Sequence, residues 1–228
     1  MFRSTTRICG HTFVPRLINS SSIVLDLGAF DGDFASAVIE RFHCRVISAE
    51  PVKELLDRIV PNALHQVLPV AVGGKNQTIE INVYDSRCAS VFGSTSSVER
   101  AIAQSVEMIT LSEFCRRTGT EHIDLLKLDI EGAEIDMFDN TTDQDLRSAT
   151  QITTEFHDFI YPEQGAAVAR IRERMSDIGF WVLPFSLDNT DVLFLNKNSG
   201  VSSTEVAYLR SFVRYGKGIV RRLRRVAF

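Results

Sequence analysis

Four acidic residues lie at or near the ends of short apolar runs. Asp26, Glu50, Asp129 and Glu155 each follow a stretch rich in valine, isoleucine, leucine or threonine. Such carboxylates can accept hydrogen bonds from hydroxyl groups, attract a cationic ligand or take up a proton. Because ligands of an open parallel sheet bind at the carboxyl ends of its strands, we expect these four acids to meet in one site.

A glycine loop, Gly28-Ala29-Phe30-Asp31-Gly32, follows the first of these runs. Glycine lets the backbone turn tightly and lets a ligand approach the chain just before a helix begins. The spacing is not the GxGxxG of dinucleotide-binding sites, since position 30 is phenylalanine, and no GxxxxGK[ST] phosphate loop occurs in the chain.

The pairing of Asp26 with Glu50 favours a nucleoside that carries an amino acid. Asp26 would repel a pyrophosphate but suits a cationic amino-acid group, and Glu50 is placed to accept both hydroxyls of a ribose. S-Adenosylmethionine has this composition. In the alternative interpretation Asp26 caps the following helix and Glu50 faces water.

Four stretches of the chain resemble the FkbM-type methyltransferases, which use S-adenosylmethionine. They are VLDLGAFDGDF at 24–34, SAEP at 48–51, LLKLDIEGAE at 125–134 and TEFH at 154–157. The resemblance runs from Ile23 to Phe159, with a continuation to Lys197, and implies a class I Rossmann-like enzyme that methylates hydroxyl groups, often on sugars or polyketides. Phe30 is a departure, because the family usually has asparagine there.

The strand ends and the resemblance together assign residues to two ligands. Nine are expected at the cofactor: Asp26, Gly28, Ala29, Phe30, Gly32, Glu50, Pro51, Ala71 and Asp129. Three are expected at the acceptor: Lys127, Glu131 and Ser90, the last in the polar loop 90–94. In the alternative interpretation Lys127 forms a structural ion pair with Asp129, and Glu131 complements a helix dipole.

The chemical step is assigned to His157, with Asp129 and Glu155 beside it. Histidine has an ordinary pKa near neutrality, so His157 is the natural candidate for the general base. In a second interpretation Asp129, Glu155 and His157 hold Mg²⁺ or Mn²⁺, which acidifies the acceptor hydroxyl. No role is expected of the histidines without carboxylate neighbours, which are His11, His43, His65 and His122.

Strand-like and helix-like segments alternate from residue 22 onward. Strands are predicted at 22–28, 44–51, 65–74, 78–84, 123–132, 149–157, 180–186 and 191–197; helices are predicted at 34–43, 52–60, 133–141 and 165–178, with a short strand and then a helix within 106–119. This order predicts a doubly wound α/β domain of the Rossmann type, mostly parallel, with one antiparallel edge strand and helices on both faces. It spans residues 1–204, of which 1–21 are an N-terminal extension.

The net charge of −4 divides unevenly along the chain. Residues 206–228 hold seven basic groups and no acidic one, whereas residues 1–205 hold 18 basic and 29 acidic groups, a net charge of −11. The acidic body argues against nucleic acid as a partner. The segment 205–228 is predicted to be a basic amphipathic helix, which either packs on the domain or lies on an anionic membrane.

The four cysteines lie far apart, which favours reduced thiols and a cytoplasmic location, with the inner membrane surface as a further possibility. No apolar run is long enough to span a bilayer. The favoured function is O-methylation of a sugar, glycan or secondary metabolite with a free hydroxyl. A nicotinamide-dependent oxidoreductase and a non-catalytic nucleoside-binding module stay open as alternatives, and the sequence leaves the oligomeric state undetermined.

Overall fold

A computed structural model describes residues 5–60, 62–84, 88–90 and 101–211. Its centre is a seven-stranded sheet in the order β12-β13-β11-β10-β3-β4-β5. The strands of this sheet are β3 (Ile23–Leu27), β4 (Arg45–Ala49), β5 (His65–Leu68), β10 (Leu125–Leu128), β11 (Gln151–Thr154), β12 (Phe180–Pro184) and β13 (Val192–Asn196). The predicted α/β fold is confirmed.

The sheet has a switch point between β3 and β10. The chain builds outward from β3 through β4 and β5, then returns to the other side of β3 and continues through β10 and β11, all in parallel. The expected antiparallel strand is β13, which lies one position inside the edge, between β11 and β12. Ligands of such sheets bind at the carboxyl ends of the strands beside the switch point.

Helices cover both faces of this sheet. They are α1 (Asp33–Phe42), α2 (Lys53–Leu56), α3 (Leu111–Thr118), α4 (Glu134–Asn140), α5 (Asp143–Arg147) and α6 (Gly165–Asp177). Phe34 and Val38 of α1 are buried with Val24 on one face, while the other face packs on apolar side chains of α3, α4 and α6. The helix predicted at 52–60 is shorter than expected, and α5 was not predicted.

A second sheet lies beside the first, with the order β6-β9-β7-β8. Its strands are β6 (Ala71–Val72), β7 (Gln77–Tyr84), β8 (Cys88–Ser90) and β9 (Ala101–Ile109). The strand predicted at 65–74 is therefore wrong as one element. Pro69 has no N–H for a ladder bond, so β5 ends before it and the chain crosses to the second sheet.

The two ends of the described chain pack on the domain. A hairpin of β1 (Thr6–Ile8) and β2 (His11–Phe13) places β2 against β11 and β13. Residues 203–211 are helical, and Val206 and Leu209 on that helix are buried in the core. The rest of the predicted C-terminal helix, 212–228, lies outside the described residues. None of the described helices has the length and apolar character that a membrane crossing requires.

Candidate active site

A cavity of about 420 Å³ opens at the carboxyl ends of β3, β4 and β10. Residues expected at the cofactor that line it are Gly28, Ala29, Phe30, Glu50, Pro51, Ala71 and Asp129. Lys127 and Glu131, which were expected at the acceptor, line it as well. Asp26 is fully buried and Gly32 caps α1, so neither lines the cavity. Ser90 ends β8, but its side chain and residues 91–94 lie outside the described residues.

Gly28 lets the ends of β3 and β10 meet. Its φ of +82° is unfavourable for a side chain, and a Cβ built there would overlap the carbonyl oxygen of Asp129. The amides of Gly28 and Ala29 both donate to the carbonyl oxygen of Ala49, each at 3.0 Å. The glycine loop is thereby fixed against β4 and forms a cavity wall made of backbone.

Glu50 is a buried carboxylate at the cavity wall. One oxygen accepts a hydrogen bond from the amide of Phe30 and the other from the amide of Val52, both at 2.9 Å. Burial raises the pKa of Glu50 to about 7, although these two amides oppose the shift. Each oxygen retains a lone pair, so Glu50 can still accept the hydroxyls of a ribose.

Lys127 is buried between the ends of the strands. Its ammonium donates to the carbonyl oxygen of Gly28 and lies 3.1 Å from Asp26 and 3.8 Å from Asp129. Burial alone would lower the pKa of Lys127, but the charges of Asp26 and Asp129 raise it. The ion pair foreseen for Lys127 forms chiefly with Asp26, its cross-strand neighbour in β3.

Asp129 receives a contact that the sequence did not suggest. Nε2 of His11, from β2, lies 3.5 Å from Oδ2 of Asp129, so the expectation that His11 has no carboxylate neighbour is wrong. His122 also has one, since its Nε2 lies 3.8 Å from Asp124 at the surface. Burial would raise the pKa of Asp129, but the contact with His11 and the charge of Lys127 lower it to about 2.

His157 is held by Glu134, which was not among the predicted site residues. Nδ1 of His157 lies 3.1 Å from Oε1 of Glu134, and the same oxygen accepts hydrogen bonds from the amides of Ile130 and Gly132. Nε2 of His157 lies 3.5 Å from Glu131. The predictive signal was the LDIEGAE segment, whose last glutamate begins α4 beside the loop that it ties down.

The ionisation of His157 and Glu155 differs from expectation. Burial opposes protonation of His157, but the hydrogen bond and charge of Glu134 raise its pKa to about 9. At neutral pH most of these imidazoles carry a proton and cannot accept another. Burial and the charge of Asp129 raise the pKa of Glu155 to about 7, which is closer to the value suited to a general base at neutral pH.

The predicted metal ligands are not brought to one point. Among the described residues, two groups have ligand atoms within 4.8 Å of one another: His11, Asp129 and Glu155 in one, and Asp129, Glu134 and His157 in the other. The predicted set of Asp129, Glu155 and His157 is neither of these. The expectation of Mg²⁺ or Mn²⁺ at that set therefore gains no support from the geometry.

The second sheet supplies an apolar wall that the sequence did not reveal. Ile79 and Ile81 of β7 and Met108 of β9 line the cavity, together with Val70 and Val72. A ligand that extends from Glu50 toward this wall exchanges contact with water for contact with apolar side chains. Such an environment suits a flat aromatic base.

A family model described as "Methyltransferase FkbM domain" matches residues 26–182, which is more than half of the chain. The chain belongs to the FkbM methyltransferase family. Membership implies S-adenosylmethionine as the methyl donor. The site fits that molecule, because the cavity combines a tight loop that begins at Gly28, the buried carboxylate of Glu50 and an apolar wall.

Solved structures similar to this FkbM methyltransferase are distant. The Methanococcus jannaschii fibrillarin pre-rRNA processing protein has a TM-score of 0.45 at 11% identity, with 78% of this chain and 68% of that chain covered. A Pyrococcus horikoshii protein described as a candidate RNA methyltransferase has a TM-score of 0.41 at 14% identity, covering 78% and 76%. No curated protein matches the sequence significantly. Likenesses this distant say nothing about the acceptor.

The backbone at position 30 suits the asparagine that is usual in the family, and its hydrogen bond is kept with phenylalanine. Phe30 adopts a φ of +55°, in the left-handed region that asparagine occupies more readily than most residues. Its amide nevertheless donates to Glu50, so the backbone contact does not depend on the side chain. The phenylalanine ring is partly exposed at the cavity, where it offers apolar surface in place of an amide.

Proposed function

We propose that this FkbM methyltransferase transfers a methyl group to a hydroxyl of a sugar, a glycan or a secondary metabolite. The supporting observation is that a Glu155 carboxylate oxygen lies within 4.8 Å of ligand atoms of His11 and Asp129, which line the cavity. The Glu155 pKa of about 7 suits a group that accepts a hydroxyl proton. The nicotinamide alternative is disfavoured by the family match. The non-catalytic alternative is separated by the experiment below.

The chain's own residues divide the work of binding. Glu50 accepts hydrogen bonds from the ribose hydroxyls, and the Gly28 loop offers backbone at close range. Asp129, ionised at neutral pH, provides negative charge toward a cationic ligand. When bound, S-adenosylmethionine supplies an electrophilic methyl group on a sulfonium. The protein must aim the acceptor oxygen at that carbon and take the proton from the oxygen.

We assign the removal of the proton from the acceptor hydroxyl to Glu155 rather than to His157. Around pH 7 about half of the Glu155 carboxyls are ionised, whereas the His157 imidazole is already protonated. His157, fixed by Glu134, can instead donate a hydrogen bond from Nε2 to an acceptor oxygen.

The charge around this pair favours an uncharged acceptor. Asp129, Glu131 and Glu134 lie 3.9, 3.5 and 3.1 Å from the imidazole nitrogens of His157, and Glu155 interacts electrostatically with this imidazole. A phosphate group would be repelled by these carboxylates, whereas sugar hydroxyls can donate to them. This charge pattern supports a polyol acceptor and argues against nucleic acid.

The proposed function is tested by binding and transfer measured on one preparation. S-Adenosylmethionine binding is measured by calorimetry, and methyl transfer from the radiolabelled donor is measured on a panel of glycans, alcohols, phosphorylated sugars and amines. Transfer to neutral hydroxyl compounds, sensitive to Glu155→Gln, is expected. Transfer confined to amines or phosphorylated acceptors would contradict the proposal, and binding with no transfer to any acceptor would favour the non-catalytic module.

Replacing Glu50 with alanine is expected to weaken S-adenosylmethionine binding by about 2–3 kcal/mol, because charge-assisted hydrogen bonds are lost. In the wild type the affinity should fall as the pH drops below about 7, since protonated Glu50 is a weaker acceptor. Calorimetry in buffers of different ionisation enthalpy should show proton release on binding near pH 7. Unchanged affinity in Glu50→Ala would contradict the ribose placement.

The basic C-terminal segment is proposed to bind anionic membranes reversibly. Val206 and Leu209 are buried on the domain, so these two apolar side chains do not contribute to membrane contact. Changing the last four arginines to glutamine should reduce co-sedimentation with anionic vesicles at least about tenfold, since each basic residue contributes up to about 1 kcal/mol. The altered residues are Arg221, Arg222, Arg224 and Arg225. A four-lysine variant should bind like the wild type, and equal binding of all three proteins would contradict the proposal.

A further inference from the structure

His11 reaches the site from outside the segment that matches the family model. It lies on β2, whereas the match covers residues 26–182. Its side chain is 1% exposed, lines the cavity and points Nε2 at Oδ2 of Asp129, 3.5 Å away.

The hairpin that carries His11 is anchored on both sides of this residue. Cys9 and Gly10 form a two-residue turn in which both φ angles are positive, so His11 follows directly after a tight reversal. Thr12 donates from its amide at 3.0 Å and its hydroxyl at 2.7 Å to the buried Asp191. The amide of Val14 donates to Gln151 at 2.9 Å. These bonds hold β2 against the sheet and fix the position of the His11 backbone, from which the imidazole extends.

The imidazole itself has little freedom. The ring packs edge-on against Phe34, with centroids 5.9 Å apart, and Phe34 is buried in turn. Among the described residues, Nδ1 has no hydrogen-bond partner although it is buried. An unpartnered buried nitrogen destabilises the fold, and an apolar side chain here would avoid that cost. The position of Nε2 at Asp129 gives a reason for histidine here.

We infer that His11 is a positioning residue, which holds the Asp129 carboxylate in the orientation that faces the cofactor. The N-terminal extension thereby completes a site whose residues otherwise come from the matched domain, apart from Cys9 of the same hairpin. The inference rests on the proposed placement of Asp129 at the cofactor and not on the nature of the acceptor. It therefore survives if wild-type protein binds S-adenosylmethionine but methylates something other than an alcohol.

The test compares S-adenosylmethionine binding by the full chain and two variants at about pH 7.5, where Asp129 is ionised. His11→Phe keeps the ring but removes the donor that orients the Asp129 carboxylate, so the dissociation constant should rise about threefold to tenfold. His11→Gln, which keeps a donor near the position of Nε2, should restore most of the affinity. The exposed His122→Phe is the matched control.

Unchanged affinity in His11→Phe, or an equal loss of affinity in His11→Phe and His11→Gln, would overturn the inference and leave His11 as packing.

A double-mutant cycle provides a second measurement. If His11 acts through Asp129, His11→Phe should have almost no further effect on binding in an Asp129→Asn background. Additive effects would overturn the inference. Should His11→Phe fail to fold, His11→Asn takes its place, because its amide reaches toward the position of Nδ1 but not toward Asp129.

Discussion

Replacing Glu155 with glutamine is expected to lower the rate of methyl transfer about 10²- to 10⁴-fold while leaving the affinity for S-adenosylmethionine nearly unchanged. Glutamine keeps the size and hydrogen-bonding capacity of the side chain but cannot take a proton. The wild-type rate should rise with pH through about 7, as the Glu155 carboxyl ionises. Single-turnover rates with the alcohol identified by the acceptor panel measure the loss of rate in Glu155→Gln and the pH dependence of the wild-type rate.

His157→Gln is the matched comparison for this prediction. If the protonated imidazole orients the acceptor, the wild-type rate should decline near pH 9, and His157→Gln should remove that decline with a smaller loss of rate. A rate that rises only near pH 9 and survives Glu155→Gln would assign the proton to His157. Loss of activity with a chelator and recovery with Mg²⁺ or Mn²⁺ would instead establish a metal.

The order of strands and helices was predictable because each buried parallel strand reads as a continuous apolar run. The second sheet was not predictable, since its strands alternate between polar and apolar residues and pair with strands that are distant in the sequence. Pro69 was the signal for the break between β5 and β6. The β1–β2 hairpin escaped notice because its turn is Cys9-Gly10, and cysteine is an uncommon residue for the first position of such a turn.

The sequence predicted the site residues whose position depends only on the ends of parallel strands. Glu50 and Asp129 lie at the cavity because parallel strands bring their carboxyl ends to one edge. The contact of His11 with Asp129 depends on how a separate hairpin docks, which local spacing does not encode. The pKa values of Glu155 and His157 depend on burial and on carboxylates from different loops, so the ordinary values on which the choice of base rested could not anticipate them.

Replacing Gly28 with alanine is expected to destabilise the fold by about 2–5 kcal/mol and to weaken S-adenosylmethionine binding. The new methyl group would overlap the Asp129 carbonyl, so the ends of β3 and β10 would have to separate. A positive φ with a side chain adds about 1–2 kcal/mol, and forced overpacking adds about 1–3 kcal/mol. For a chain of this size the melting temperature should fall by roughly 4–20 °C, as calorimetry can measure.

Gly119→Ala separates the two causes. Gly119 ends α3 with a φ of +66°, and a Cβ there would meet nothing within 4 Å. Its replacement therefore carries only the backbone strain, about 1–2 kcal/mol, and should leave cofactor binding unchanged. If Gly28→Ala melts no lower than Gly119→Ala, the close approach of the two strand ends contributes nothing. If it melts lower but binds S-adenosylmethionine normally, the contact supports the fold without shaping the cofactor site.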